Sequence, residues 1–313
     1  MPRSGRRLTV NGMGKLRIAV ALSGGGRTLE NFFEKIAAGV LDAEITSVAS
    51  SNSKAFGLQR AKRRNIPTSV FLRKQFSSDE AYSAAIIKFF NERPADLILL
   101  AGFMKLFHVP PEWTGRVMNI HPALIPAFCG RGLYGHHVHE AVIKKGVNVS
   151  GCTVHFVDNV YDHGQTIVQR VAPVKPGDTP DTLADRVFAE ECAAYPEAVR
   201  LFQAGKITAD PDFKRSENGW RLSDSQWKKI RPILPNEKNK REVFERLIWK
   251  LVTGKKPRKN DKAAARLKTW INMGAWLKAI LALFSEINGT DYSASGDSIW
   301  DKSILDGSFS ITM

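Results

Sequence analysis

Asn119 and His121 stand one residue apart at the end of the apolar run "VMNIHPALIP", and prolines follow at 122 and 126. In an extended strand, residues i and i+2 project from the same face, so the amide and the imidazole would share one surface. An Asn amide can donate to an oxygen that gains negative charge, and a His beside it can exchange a proton with an amine. A lone His is more often a satisfied structural residue, but an Asn-x-His pair set directly before proline shifts the balance towards chemistry. Downstream, "GCTVHFVDNVYDHG" supplies His155 and, after a polar loop, Asp162. A carboxylate near an imidazole can hold the ring and raise its pKa, the arrangement a proton shuttle needs.

Two further stretches carry binding chemistry. Ser23-Gly24-Gly25-Gly26-Arg27-Thr28 opens a helix expected to begin near Leu29. Glycines let the backbone approach an anion, and the unpaired N–H groups and positive end of a helix favour phosphate there. The run is neither G-x-G-x-x-G nor G-x-x-x-x-G-K-[ST], so it gives no support to a dinucleotide or nucleoside triphosphate site; a tight turn without ligand is the alternative. "DLILLAGFMKLF" ends in Gly102-Phe103-Met104-Lys105-Leu106. Phe103, Met104 and Leu106 could serve simply as core. On the functional reading, the backbone of 104–106 faces a flat heterocycle and Lys105 an anionic tail.

The elements that must position these residues follow from the chain's periodicity. From Leu16, short β-rich runs alternate with helical ones: "LRIAVAL", "RTLENFFEKIAAG", "EITSVASS", "AFGLQRAKRRN", "EAYSAAIIKFFNERP", "DLILLAGF". Such alternation predicts an α/β fold, a doubly wound and mostly parallel sheet covered on both faces. Ligands of such sheets gather at the carboxyl ends of the strands, where the candidate residues fall.

Composition sets outer limits. A chain of 313 residues with 43% hydrophobic content has room for two domains and a sizeable core. No apolar run approaches the ~20 residues of a membrane span. The start, "MPRSGRRLTVNGMGK", is basic but leads into glycines rather than a cleavage site, so no signal peptide is expected and a cytoplasmic location is. Cys129, Cys152 and Cys192 are too widely spaced for a zinc site or a disulfide framework, and no metal is expected. Between Lys214 and Lys278, 19 Lys/Arg face 6 Asp/Glu, a local net of +13 within a total of +15, whereas all seven histidines lie between His108 and His163. The chain thus divides into a histidine-bearing half and a basic half.

Taken together, "SGGGRTLENF", "LAGFMKL", "NIHPALIP", "GLYGHHVHEAVIKKGVNVSGCTVHFVDNVYDHGQTIVQ" and "RVFAEECAAYP" resemble, in order and spacing, the glycinamide ribonucleotide formyltransferase family of purine biosynthesis over about 16–207. The resemblance implies direct formyl transfer from 10-formyltetrahydrofolate to the ribonucleotide's amine, without a metal or a covalent enzyme intermediate. It makes Asn119, His121 and Asp162 the catalytic trio, with His155 steadying Asp162. It lays the ribonucleotide's phosphate on Gly25, Gly26, Arg27 and Thr28, and its ribose hydroxyls on Glu191. The folate would take Phe103, Met104, Lys105, Leu106, Val157 and the loop from Asp158 to Asp162. Many members carry Ser-Asn where Arg27-Thr28 stand, so the backbone contacts carry over more firmly than the side-chain ones. His136, His137 and His139 read as helix-start and substrate-loop residues.

The expected organisation is a basic extension over 1–15, a formyltransferase domain over 16–210, a linker over 211–218, a small all-helical basic domain over 219–288 and a flexible tail over 289–313. The helical segment resembles the N-terminal helical domain of insertion-sequence transposases, in "LSDSQWKKIRPILP", "LIWKLVTG" and "WINMGAWLKAILAL". Ser223 and Gln226 form a capping-box pattern, and Val243, Phe244, Leu247, Ile248 and Leu251 share one helical face up to Gly254, with further helix about Gly274. Non-specific nucleic-acid binding through 214–278 is the partner expectation. The alternatives are a nucleic-acid-binding protein with the α/β domain as scaffold, a gene-fusion remnant, and a related enzyme whose acceptor is tRNA or water.

Overall fold

The computed structural model describes residues 14–210, 213, 227–228, 230–235, 238–253 and 279. Seven strands form one sheet: β1 (Leu16–Leu22), β2 (Ala43–Ser50), β3 (Thr68–Val70), β4 (Leu97–Leu100), β5 (Val117–His121), β6 (Val149–Phe156) and β7 (Thr166–Pro173). Their order is β3-β2-β1-β4-β5-β6-β7. The pairs β1/β2, β1/β4, β2/β3 and β4/β5 are parallel. The chain runs outward from β1 to β3, then returns to lay β4 on the other side of β1. That reversal is a topological switch point, and it lies between the carboxyl ends of β1 and β4.

The chain forms two compact units. The first comprises the described residues of Met1–Ile120, Val154–Val168 and Cys192–Lys214. Its helices are α1 (Arg27–Ala37), α2 (Phe56–Lys62) and α3 (Asp79–Asn91), with the later part of α5 (Pro180–Gln203). α1 starts two residues before the expected Leu29, because Gly26 takes a left-handed φ of 69° and turns the strand into the helix. An added Cβ at Gly26 would lie 2.6 Å from the Gly57 Cα, so the turn and α2 meet through two glycines. Ser78 caps α3 by accepting from Ala81 N, and Tyr82, Ile86 and Phe90, spaced by one turn each, are buried. Fully buried Tyr195 of α5 donates to the carbonyls of Leu100 (3.2 Å) and Met118 (2.8 Å), fixing the helix at β4 and β5.

The second unit comprises the described residues of His121–Thr153, Gln169–Glu191 and Arg215–Met313. It holds the loop after β5, α4 (His136–Lys145), the start of α5 and α6 (Lys240–Thr253). In α6, Phe244, Leu247 and Ile248 are buried and Val243 is half-buried, on the face expected from their spacing. Glu245, also buried, pairs with Arg241 one turn earlier at 3.1 Å. Ser223, Gln226, Gly254 and Gly274, and the side chain of Leu251, lie outside the described residues. No helix among the described residues is long and apolar enough to cross a membrane.

Candidate active site

β5 and β6 end in polar side chains. Asn119 Nδ2 lies 3.2 Å from His155 Nε2, and His155 Nδ1 lies 2.8 Å from the Phe156 carbonyl. A carbonyl can only accept, so Nδ1 carries the hydrogen. Nε2 of the neutral ring then accepts from Asn119, which keeps a second N–H and its own oxygen for other use. Asp162 Oδ1 stands 3.8 Å from the same Nε2, and its side chain is 11% exposed. The nitrogen therefore sits between an amide donor and a carboxylate. A protonated ring would address the carboxylate, and a neutral one accepts from the amide. Asp162 reaches this place from a backbone with φ of 50°, a left-handed conformation that an Asp tolerates better than most residues. Behind it Gly164 packs so tightly on the Phe156 carbonyl that a Cβ would overlap the carbonyl oxygen, which fixes the return of this loop.

His121, in the second unit, has the opposite tautomer. Its Nε2 lies 2.8 Å from the Phe128 carbonyl, so Nε2 donates and Nδ1 bears the lone pair of the neutral ring. The loop that carries Phe128 is held from below. Thr153 Oγ1 donates to the Ala123 carbonyl at 2.7 Å and accepts from Ile125 N at 3.0 Å, while Gln169 Nε2 donates to the Ile125 carbonyl at 2.9 Å. Sequence reasoning missed both anchors. The available signal was alternation: Thr153 is two residues before His155 and thus on the same face of β6.

The glycine loop after β1 has its carbonyls turned onto α2. Gly57 N donates to Gly24 O at 3.1 Å, and Arg60 Nε donates to Gly25 O at 3.0 Å. Arg60 also pairs with Glu30 at 2.7 Å. Burial works to raise the Glu30 pKa, but the Arg60 and Arg64 guanidinium groups hold it below the usual range. Gly25 and Arg27 are exposed, Thr28 is half-buried, and an added Cβ at Gly24 or Gly25 meets nothing within 4 Å. With the carbonyls engaged behind it, the loop offers an open, N–H-rich surface at the positive end of α1.

Of the residues expected to line a folate cleft, Met104 and Lys105 are exposed and Phe103, Leu106 and Val157 half-buried. Phe103 stacks on Tyr82 and meets Phe107 edge-on, and with Val157 it packs against the cluster that includes Tyr82, Ile86 and Phe90. Both are thus also core residues. Asp158 is engaged within its own loop, accepting from Val160 N at 2.9 Å and pairing with His163 Nδ1 at 2.6 Å. Its carboxylate shapes the loop that delivers Asp162. Glu191, in the second unit, is half-buried on α5. Of the three clustered histidines, His136 and His137 are exposed at the start of α4, while His139 is buried within the helix rather than set in a loop.

A mostly parallel sheet wound both ways from a switch point, with the Asn119 amide, the His155 imidazole and the Asp162 carboxylate brought together beside it, defines an α/β protein of the kind that receives ligands at its strand ends. The chain belongs to the formyl transferase family, whose model matches residues 16–199. It is similar to the phosphoribosylglycinamide formyltransferase of Haemophilus influenzae, 35% identical over 195 residues that cover 61% of this chain and 89% of that protein. It is also 39% identical to the trifunctional purine biosynthetic protein adenosine-3 of Gallus gallus over 195 residues, 62% of this chain but only 19% of that protein's length. Among solved structures, glycinamide ribonucleotide transformylase 1 from Symbiobacterium toebii superposes with a TM-score of 0.59 at 35% identity, covering 64% of this chain and 93% of that one.

Proposed function

We propose that this chain transfers the formyl group of 10-formyltetrahydrofolate to the primary amine of glycinamide ribonucleotide, a step of purine biosynthesis. The convergence of Asn119, His155 and Asp162 at the ends of β5 and β6 carries the reading, because it supplies an oxyanion donor and a proton acceptor side by side. The relatives named for this reaction support the choice of amine.

Asn119 gives one N–H to His155 and points the other at the formyl oxygen. That oxygen becomes negative as the amine attacks the formyl carbon. A preorganised donor of this kind is worth about 3–4 kcal/mol in other enzymes. Asp162 takes the proton lost by the amine and, directly or through water, passes it to the folate nitrogen as the carbon–nitrogen bond to the folate breaks. One amine proton thus ends on the departing nitrogen, and no net proton is gained or lost. His155, its Nδ1 held by the Phe156 carbonyl, keeps Asn119 and Asp162 in register. The family resemblance gives His121 the part of assisting Asp162 in moving the amine's proton. The ribonucleotide phosphate sits on Gly25, Gly26, Arg27 and Thr28, and Glu191 accepts from ribose hydroxyls. The donor lies along Phe103 to Leu106 and Val157, with Lys105 towards its anionic tail.

Initial rates of donor consumption and of product formation with three acceptors test the proposal. Glycinamide ribonucleotide should be formylated in step with donor loss, with tRNA unmodified and hydrolysis by water slower by orders of magnitude. Donor loss at the same rate without the amine would overturn it in favour of hydrolysis.

A further inference from the structure

Ser23 immediately precedes the glycine loop, is 1% exposed, and makes no hydrogen bond within that loop among those its own atoms are seen to form. Its N–H donates to the Gly102 carbonyl at 3.0 Å. Its Oγ accepts from Met104 N at 2.9 Å and lies 2.6 Å from Ser51 Oγ. Its carbonyl accepts from Asn52 Nδ2 at 3.3 Å. Every polar group of Ser23 is therefore engaged by the loops that follow β2 and β4. Ser51 N in turn donates to the Leu22 carbonyl at 3.1 Å, closing a ring of contacts at the switch point.

We propose that Ser23 is a positioning residue that couples the two substrate subsites, tying the glycine loop that receives the ribonucleotide to the Gly102–Leu106 loop that receives the formyl donor. The proposal rests on the formyl-transfer reading above. Ser23 itself touches neither substrate. Without its hydroxyl the Met104 N–H loses its acceptor and Ser51 Oγ this partner, so each loop must be ordered by its own ligand. The cost of that ordering falls on the binding of both substrates, whereas groups at the reacting carbon keep their geometry.

The full chain serves for the test, with KM for each substrate and kcat measured for the wild type, Ser23→Ala and Ser51→Ala. Ser23→Ala should raise both KM values about three- to tenfold, the effect of one lost neutral hydrogen bond, with kcat changed less than about twofold. It should also speed hydrogen exchange at the Met104 amide. Ser51→Ala leaves the Met104 bond in place and should raise both KM values less. A lower kcat with both KM values unchanged, as a loss of folded enzyme would give, overturns the proposal; so does a rise confined to the ribonucleotide. If the wild type transfers no formyl group, it is the reading of function that fails. Exchange at Met104 then decides whether Ser23 holds the loops, and unaltered protection in Ser23→Ala overturns that.

Discussion

His155 at the end of β6 and His139 inside α4 are both nearly inaccessible, 2% and 5% exposed, yet their surroundings treat the imidazole in opposite ways. His155 has one nitrogen committed to a backbone carbonyl and the other placed between Asn119 and Asp162. His139 has no hydrogen-bond partner at Nδ1, and burial, reinforced by the nearby His136 and His121, lowers its pKa to about 4. Burial without a partner at Nδ1 disfavours the charged form of His139, whereas partners at both nitrogens fix the tautomer and orientation of His155. One turn earlier on the same helix, exposed His136 bridges Glu140 and Asp181 at 3.0 Å each, and these carboxylates raise its pKa. Residue type and helix are shared between His136 and His139, so the local charges and solvent set the difference.

Substitutions at the two regions should therefore separate cleanly. Asp162→Asn keeps the shape of the β6 loop but removes the proton acceptor, and formyl transfer should fall by about 10²–10⁴-fold with the melting temperature nearly unchanged. Asn119→Ala should lower turnover by about 10²–10³-fold, the loss seen when one oxyanion donor is removed. A retained rate in either would erase the distinction between the two histidine environments.

At α4 the expected effect is on stability and its pH dependence. The folded pKa of His139 is depressed to about 4 against 6.5, so between those values the unfolded chain binds a proton that the folded one refuses. Stability should fall as pH drops through that window, by about 3 kcal/mol in all. Denaturant unfolding of His139→Leu across pH 4–7 should show a flatter dependence. His136 works in the other direction: its contribution is present below its unfolded pKa and is lost as pH rises through the raised folded value. His136→Ala should remove that loss without altering turnover at neutral pH.

The smallest effect belongs to α6. There the buried carboxylate of Glu245 is paired within its own helix. Arg241→Lys, which keeps the charge beside Glu245, should cost about 0.5 kcal/mol by thermal melting and leave formyl transfer unchanged. A large loss of transfer would show that this segment contributes to the site.

Much of the fold was legible because its signals are local. β4 is an uninterrupted aliphatic run, β1 and β2 are short runs whose second halves are buried, and α3 repeats buried residues at one-turn spacing, so pattern alone separates strand from helix. Asn119 and His155 stood out for a similar reason, as polar residues at the ends of apolar strands. What stayed hidden depends on contacts between distant segments. Nothing in the neighbourhood of Ser23 announces Met104, 81 positions away, and nothing near Gln169 announces the Ile125 carbonyl. The burial of His139 was missed because "GHHVHEA" reads as a polar helix start, whereas the helix turns that third histidine towards Val138 and Val142, its buried companions.

Single-turnover formyl transfer by Asn119→Ala, Asp162→Asn and the double substitution tests most directly whether the polar groups at the ends of β5 and β6 act as one catalytic unit. If they do, both single substitutions lower the rate by about 10²-fold or more and the double is scarcely slower than the worse single, because groups that act together are lost together. A single substitution that transfers formyl at the wild-type rate, or losses that simply multiply in the double, would contradict that unit.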